Sequence, residues 1–261
     1  MNILTEIATH SRDRLASTKK NFPLRTLEDL PLYAAARLDP RLYLRSDYIS
    51  VIAEFKRRSP SAKFVKDEFG VRDVVMSYES NGASAISVLT EPTYFGGSLD
   101  DLSTARRACS IPLLRKDFVV DEYQLVEARA HGADMVLLIA AVLDKQQMFD
   151  LVQVCHDIGL EPLVELYEIH ELDMVPVDNV SLIGANNRDL RNFEMDLTRA
   201  PAILSHVPDD KIKIAESGLT SAKDLRQAHD QGIHAALVGS CLMQSDNQGG
   251  ALADLLSVET P

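Results

Sequence analysis

The chain of 261 residues has no tryptophan and only three cysteines, Cys109, Cys155 and Cys241. The cysteines lie far apart and form no CxxC pair, which excludes a disulfide-stapled scaffold and a thiolate zinc site and predicts a reduced, cytoplasmic protein. Basic charge is also scarce, because 27 Lys and Arg oppose 39 Asp and Glu for a net charge of −12. So acidic a chain binds nucleic acid and anionic membranes poorly, and we expect neither as a partner.

Long apolar runs are missing too. The longest, residues 135–143, is far shorter than the roughly 20 residues that span a bilayer. The N-terminal stretch MNILTEIATHSRDRL carries charges throughout, unlike a signal peptide, and its apolar spacing predicts a helix over residues 4–20. HExxH, paired His–carboxylate spacings and a GxGxxG after a strand are all absent, so we predict no metal and no cofactor.

What the sequence does contain, after Asp47, is a regular alternation of short apolar runs and amphipathic helical stretches. The eight runs are residues 49–54, 85–89, 111–115, 135–139, 162–166, 181–186, 212–216 and 236–239. Their starts are roughly 20 to 35 residues apart, about one strand–helix unit each. Eight such units predict an α/β fold, a (β/α)₈ TIM barrel rather than an open doubly wound sheet. We expect residues 1–46 to form an N-terminal helical extension packed on the barrel, and residues 47–261 the barrel as a single domain.

Polar residues follow most of the predicted strands at their carboxyl ends, where the active sites of such barrels lie. Each one alone is more often an ordinary loop residue. Burial of several charged groups at one end of a barrel, however, costs folding free energy. Convergence of lysines, carboxylates and an arginine there therefore indicates a site that binds or converts a ligand. Side chains alternate along a strand, so Glu54 and Lys56 share one side, as do Asn186 and Arg188. The candidate catalytic residues are Glu54, Lys56, Lys116, Glu165, Asn186, Arg188 and Ser217.

Small residues follow predicted strands seven and eight, in the stretches ESG and VGS. The loops at these positions often hold a phosphate on backbone N–H groups. Alternatively, Gly218 and Gly239 are present only because tight turns favour glycine. The residues predicted to bind phosphate or substrate are Ser59, Phe118, Glu216, Gly218, Gly239 and Ser240.

Eight stretches, in this order, are similar to those of one enzyme family: VIAEFKRRSPS, SVLTEPTYFGGSLDDL, PLLRKDF, YQLVEARAHGADMVLLI, LVELYE, IGANNRDLRNFEMDL, AESG and LVGSCLM. Together they closely resemble the indole-3-glycerol-phosphate synthase family of tryptophan biosynthesis. The resemblance implies a (β/α)₈ barrel with an N-terminal extension and a carboxy-lyase activity. The implied reaction closes the ring of the phosphosugar 1-(2-carboxyphenylamino)-1-deoxyribulose 5-phosphate to give indole-3-glycerol phosphate, CO₂ and water.

The resemblance also implies roles for the polar residues. Lys116 would protonate the substrate carbonyl as the aromatic carbon attacks it. Lys56 and Glu54 would handle later proton transfers and the dehydration. Glu165 would assist acid–base steps and position Lys116 or the substrate amine.

The remaining roles concern binding. Asn186 and Arg188 would hold hydroxyl and carboxylate groups, and Ser217 would belong to the same pocket. The phosphate would lie on Ser59, Gly218, Gly239 and Ser240, with Lys56 nearby. Because ring closure itself forms an iminium that accepts the electrons of decarboxylation, the chemistry requires no cofactor.

The sequence departs from the family's pattern in one loop. The family usually reads SPSKG, whereas this chain reads SPSAKF, which displaces Lys63 by one position and removes the glycine. Ala185 and Ala215 also replace commoner residues, but alternation turns both away from the mouth.

Two other functions compete with the synthase. The first is another phosphosugar barrel enzyme such as phosphoribosylanthranilate isomerase, which uses a Cys and an Asp; no Cys ends an early strand here. The second is a non-catalytic or repurposed paralogue that binds a phosphosugar. We expect a monomer or a weak homo-oligomer.

Overall fold

The computed structural model describes residues 3–44, 48–60, 69–189 and 193–257. Within these ranges eight parallel strands pair in chain order, and the eighth pairs with the first to close a barrel. The strands are β1 Ser50–Phe55, β2 Ala85–Leu89, β3 Leu113–Lys116, β4 Met135–Ile139, β5 Glu161–Leu166, β6 Leu182–Asn186, β7 Ile212–Glu216 and β8 Ala235–Val238. The predicted TIM barrel is confirmed.

Helices surround the barrel and alternate with its strands. They are α1 Ile3–Asn21, α2 Leu24–Glu28, α3 Val71–Ser80, α4 Leu99–Ala108, α5 Glu122–Ala130, α6 Lys145–Asp157, α7 Arg199–Leu204, α8 Ala222–Asp230, α9 Ser240–Gln244 and α10 Gln248–Leu256. Short 3₁₀ helices cover Pro40–Leu42, Ala140–Val142, Ile169–Met174 and Val177–Asn179. No helix in the described part of the chain is long and apolar enough to cross a membrane.

The two-residue periodicity of the strands separates two cores. On β1, Ile52 packs inside the barrel, whereas Val51 and Ala53 pack between the strands and the helices. Ala185 and Ala215 belong to the same outer core, as their alternation predicts. The inward series that begins at Ile52 continues to Glu54, so a strand that is apolar inside delivers a carboxylate to the mouth.

β3 carries two cations that serve different layers. Lys116 follows the inward Leu114, while Arg115 faces the helices and is only 1% exposed. The Arg115 guanidinium donates to Asp117 at 2.9 Å and to Glu127 of α5 at 3.0 Å. The burial cost of Arg115 is therefore offset by two carboxylates, and β3 is fixed to α5 directly beneath Lys116.

Helix α1 packs against the mouth of the barrel. Leu4 and Ile7 are buried within the same apolar cluster as the barrel interior. At the edge of this contact, Oη of Tyr94 donates to Oε1 of Glu6 at 2.8 Å. The helix thus contributes apolar surface to the barrel end at which the polar residues converge.

Two predicted strand bounds were wrong in detail. β3 begins at Leu113 rather than residue 111, because Pro112 has no N–H for the strand ladder. β8 ends at Val238, because Gly239 leaves the extended conformation with φ −136° and ψ −55° and caps α9.

Candidate active site

A cavity of about 360 Å³ opens at the carboxyl ends of the strands. All thirteen predicted site residues line it: Glu54, Lys56, Ser59, Lys116, Phe118, Glu165, Asn186, Arg188, Glu216, Ser217, Gly218, Gly239 and Ser240. They come from β1, β3, β5, β6, β7 and β8 or the loops that follow these strands. The displaced Lys63 of the SPSAKF loop lies outside the described residues.

Lys116 is the central cation of this cavity. Its Nζ lies 2.5 Å from Oε2 of Glu216 and 3.4 Å from Oε2 of Glu165. Burial alone would lower its pKa, but the carboxylates of Glu216, Glu165 and Glu54 outweigh that effect and raise the pKa above its usual value. Lys116 therefore carries its proton throughout the neutral pH range.

The two carboxyl groups beside Lys116 differ in their surroundings. Burial and the neighbouring Glu165 raise the pKa of Glu216 to about 8, although Lys116 opposes the shift. Burial also acts on Glu165, but Lys116, Tyr167 and Asn186 stabilise its charge and hold its pKa below the usual value. At neutral pH Glu165 is thus the carboxylate, and Glu216 holds most of a proton.

Glu216 fills its position completely. Its Oε1 is buried with no hydrogen-bond partner among the described residues, and a Cβ at position 184 would lie 2.6 Å from it. Only glycine at position 184 leaves room for this carboxyl group. The other carboxyl oxygen of Glu216 is paired with Lys116, and a contact of Glu216 with substrate stays a prediction.

Glu54 of β1 and Lys56, which directly follows this strand, form a second ion pair. Nζ of Lys56 lies 2.7 Å from Oε1 of Glu54, as their shared side of β1 predicts. Gly239 makes this arrangement possible, because a Cβ there would lie 2.9 Å from the Cβ of Glu54. Lys56 is also close enough to Cys241 to act on the pKa of its thiol, which places the lysine beside the start of α9.

Asn186 is occupied by neighbours within the site. Its Nδ2 donates to Oε1 of Glu165 at 3.1 Å and to Oη of Tyr167 at 3.4 Å. Its Oδ1 accepts the backbone N–H of Arg188 at 2.9 Å. Asn186 therefore orients Glu165 and the β6 loop, in addition to any contact with substrate.

Arg188 presents a cation to the cavity. Among the described residues its guanidinium makes one weak contact, from Nη1 to the carbonyl of Phe193 at 3.5 Å, and no carboxylate of these residues pairs with it. Partial burial lowers its pKa, but a guanidinium remains charged at any working pH. This arrangement is suited to an anionic substrate group.

The loops after β7 and β8 shape a separate edge of the cavity. Ser217 and Gly218 both adopt left-handed backbone conformations, with φ of 67° and 82°. The amide of Asn187 supports this turn, because its Nδ2 donates to the carbonyl of Ser217 at 3.0 Å. Across the edge, Ser240 begins the short helix α9 directly after Gly239.

Several cavity residues were missed by the sequence analysis. Tyr167 is the clearest case, since it follows Glu165 by two positions and alternation alone would have placed it in the mouth. Leu137 and Ile139 of β4 form an apolar wall that looks like ordinary core in sequence. Ile3 and Ile7 of α1 also line the cavity. They were missed because the pattern of an amphipathic helix does not indicate which surface the helix packs against.

Solved structures with a similar fold support the barrel assignment. KGPDC from Streptococcus mutans matches with a TM-score of 0.60 at 14% identity, over 80% of this chain and 96% of that chain. A thiamine phosphate pyrophosphorylase from Pyrococcus furiosus matches with a TM-score of 0.59 at 16% identity, over 82% of this chain and 96% of that chain. At these identities the likeness concerns the fold alone.

Sequence comparison is more specific. The family model described as indole-3-glycerol phosphate synthase matches residues 4–255. An indole-3-glycerol phosphate synthase of Rhodopirellula baltica is 41% identical over 248 residues, which cover 94% of this chain and 95% of that protein. A match that spans both chains almost completely shows that the chain belongs to the indole-3-glycerol phosphate synthase family.

Proposed function

We propose that the barrel mouth carries out the reaction of its family in the following way. The enzyme is a carboxy-lyase of tryptophan biosynthesis, and it converts 1-(2-carboxyphenylamino)-1-deoxyribulose 5-phosphate to indole-3-glycerol phosphate, CO₂ and water. Because the substrate loses a carboxylate as CO₂, each turnover takes up one proton. The observation that carries the proposal is the position of Lys116, whose Nζ lies between the carboxyl groups of Glu165 and Glu216 in the cavity.

Ring closure is the step assigned to Lys116. The aromatic carbon that bears the carboxylate attacks the ketone carbon, and the ketone oxygen gains negative charge. Lys116 donates its proton to this oxygen and so stabilises the charge where it develops. A raised pKa does not prevent this transfer, because an alkoxide is a stronger base than an amine.

Decarboxylation follows from the product of ring closure. Attack leaves an iminium on the ring nitrogen, which accepts the electron pair of the breaking bond between carbon and carboxylate. Arg188 is the cation available to hold the substrate carboxylate before it leaves. Release of CO₂ restores the aromatic ring without an external electron sink.

Dehydration requires a second acid and a base. The hydroxyl formed at ring closure leaves as water after it accepts a proton, and the adjacent CH₂ loses a proton to form the indole double bond. The ion pair of Lys56 and Glu54 offers an acid and a base 2.7 Å apart on a separate strand. This pair is therefore assigned to the last step.

The phosphate is assigned to the edge formed by Ser59, Gly218, Gly239 and Ser240, with Lys56 beside it. Backbone N–H groups of the turn after β7 and of the start of α9 suit a phosphate, and short helices at this position commonly hold one in such barrels. Inorganic phosphate should compete with substrate, and Lys56→Met should weaken that competition.

The deciding experiment is an ultraviolet assay for indole formation from the open-chain substrate. Appearance of the indole spectrum with the purified parent protein supports the proposal. Binding of substrate without turnover would instead favour a phosphosugar-binding paralogue, and isomerisation of phosphoribosylanthranilate would favour the isomerase.

We also propose a cytoplasmic protein, a monomer or weak homo-oligomer that does not bind nucleic acid. The net charge of −12 supports the last point. Residues 1–46 are proposed to be an extension packed on the barrel, supported by the insertion of Ile3 and Ile7 into the cavity wall. Light scattering across a concentration series would test the oligomeric state.

A further inference from the structure

The hydroxyl of Tyr167 lies within the cluster of charged groups around Glu165. Tyr167 follows β5 directly, is 9% exposed and lines the cavity. Nδ2 of Asn186 lies 3.4 Å from its Oη and 3.1 Å from Oε1 of Glu165, so one amide contacts both side chains. Because Oη of Tyr167 accepts from Asn186, its own hydrogen is available for another hydrogen bond, and we infer that the Glu165 carboxylate accepts it.

The backbone of Tyr167 is fixed independently of the cavity. Oε2 of Glu171 accepts the N–H of Tyr167 at 2.6 Å and the N–H of Glu168 at 3.1 Å. Glu171 is itself buried in the 3₁₀ helix that follows β5. A buried carboxylate thus holds the turn that aims the Tyr167 ring into the mouth.

The direction of the hydrogen bond follows from the two groups. Burial and the neighbouring Glu165 raise the pKa of Tyr167 well above its usual value, so the phenol keeps its proton. Lys116 first, and then the Tyr167 phenol, lower the pKa of Glu165 against the effect of burial. A hydrogen bond between these two groups therefore has one possible direction, in which the phenol donates and the carboxylate accepts.

Further charged groups face Glu165 from other elements. Lys116 of β3 stabilises its ionised form, while Glu216 of β7 is the competing carboxyl group for the same cation. Glu54 lies beyond Lys116 and is paired with Lys56. Among these groups Tyr167 is the neutral donor, so its effect on Glu165 can be removed without a change in net charge.

We propose that Tyr167 is a positioning residue of the ring-closing reaction, whose hydroxyl holds Glu165 ionised and oriented toward Lys116. The inference rests on the proposed function for its kinetic consequence, but not for its effect on Glu165 itself. Since Glu165 and Glu216 share one cation, this donor acts together with Asn186 to favour ionisation of Glu165 over ionisation of Glu216. Tyr167 thereby keeps the site in the state from which Lys116 donates.

The test replaces the hydroxyl and keeps the ring. In Tyr167→Phe, the acidic limb of the kcat/KM profile should move to higher pH by about one unit, because Glu165 loses a donor to its charged form. The matched control is Tyr123→Phe, which also removes a hydroxyl with a partner, here the carbonyl of Phe22 at 2.7 Å, but lies outside the cavity. Ionisation of the substrate affects the kcat/KM profiles of the parent, Tyr167→Phe and Tyr123→Phe equally, so it does not contribute to the difference between them.

A second measurement does not require turnover. The carbon-13 resonance of the Glu165 carboxyl, assigned with Glu165→Gln, should titrate at higher pH in Tyr167→Phe than in the parent or in Tyr123→Phe. An unchanged titration of Glu165 in folded Tyr167→Phe overturns the inference. An inactive parent with a shifted Glu165 titration would instead contradict the proposed function and support only the effect of Tyr167 on Glu165.

Discussion

Glu216, and not Glu165, provides the carboxyl oxygen nearest to Lys116, at 2.5 Å against 3.4 Å. Glu165 nevertheless keeps the negative charge, because Asn186 and Tyr167 also stabilise it. Glu216 is therefore the carboxyl group closer to Lys116, whereas Glu165 is the one that carries the negative charge. Such a division separates the pKa values of like groups, and it allows one of them to remain a base beside an acid.

Lys116→Met should lower kcat by at least about 10³, since general acid catalysis contributes about 10² to 10⁴ and charge stabilisation is lost as well. Affinity for product should change less, because the interaction is made mainly in the transition state. Steady-state kinetics and product titration measure both effects.

The control for Lys116→Met separates catalysis from stability. The single variant leaves Glu165 and Glu216 without their cation and should be less stable than the parent. In Lys116→Met with Glu216→Gln, the thermal midpoint should recover in part while kcat stays low. A kcat within about tenfold of the parent in either folded variant would refute the acid role.

Gly239→Ala should lower kcat by about tenfold or more through Glu54. The added methyl group meets the Glu54 side chain, so the Glu54–Lys56 pair must move. A displacement of about 1 Å at a catalytic group can cost about 10²-fold in rate. Gly70→Ala is the matched control, because a Cβ there meets only Oδ2 of Asp73 at an ordinary 3.7 Å. Equal kinetics of the two variants would count against the assignment of Glu54 to dehydration.

Arg188→Ala should raise KM for the substrate by about 10- to 100-fold, because a hydrogen bond to a charged group is typically worth about 1.5–3 kcal/mol. The product has lost the carboxylate, so its dissociation constant should change little. Isothermal titration with product and kinetics with substrate give the two values. Arg107→Ala, on the outer face of α4, controls for the loss of a positive charge, and an equal loss of affinity for product and substrate in Arg188→Ala would exclude carboxylate recognition.

Glu216→Gln should change the pH dependence of stability in a defined direction. The folded protein holds a proton on Glu216 up to a pKa of about 8, whereas the unfolded chain releases it near 4.5. The parent therefore loses stability as pH rises between these values, and glutamine removes that loss. The thermal midpoint of Glu216→Gln, relative to the parent, should rise from pH 4.5 to pH 8. Exposed Glu122→Gln is the control, and a constant difference across this window would contradict the assignment.

Much of the site was accessible from sequence because strands repeat every two residues. Alternation placed Glu54 with Lys56 and Asn186 with Arg188, and the structure brings both pairs to the mouth. The same rule would have found Tyr167, but a tyrosine beside a buried strand also fits an ordinary core. Tyr167 was therefore not predicted as a site residue because of its amino-acid type, although its position in the strand pattern was suitable.

Other features depend on contacts that no local pattern encodes. The role of Gly239 became visible only from the side chain of Glu54, which comes from the opposite end of the sequence. The left-handed conformation of Ser217 depends on the amide of Asn187, 30 residues away. One carboxylate partner of Arg115, Glu127, is likewise supplied by α5, so the burial of Arg115 could not be predicted from β3 alone.

The insertion of Ile3 and Ile7 into the cavity wall makes α1 a reporter of what the cavity contains. A ligand that packs against these side chains should slow the opening of α1, and its amides should exchange with deuterium more slowly. Since Nζ of Lys19 in α1 also lies 2.7 Å from Oδ2 of Asp121, which caps the N-terminus of α5, the protection should extend to the start of α5. Occupancy of the mouth could then be followed by mass spectrometry of N-terminal peptides, in mixtures where no absorbance change can be resolved.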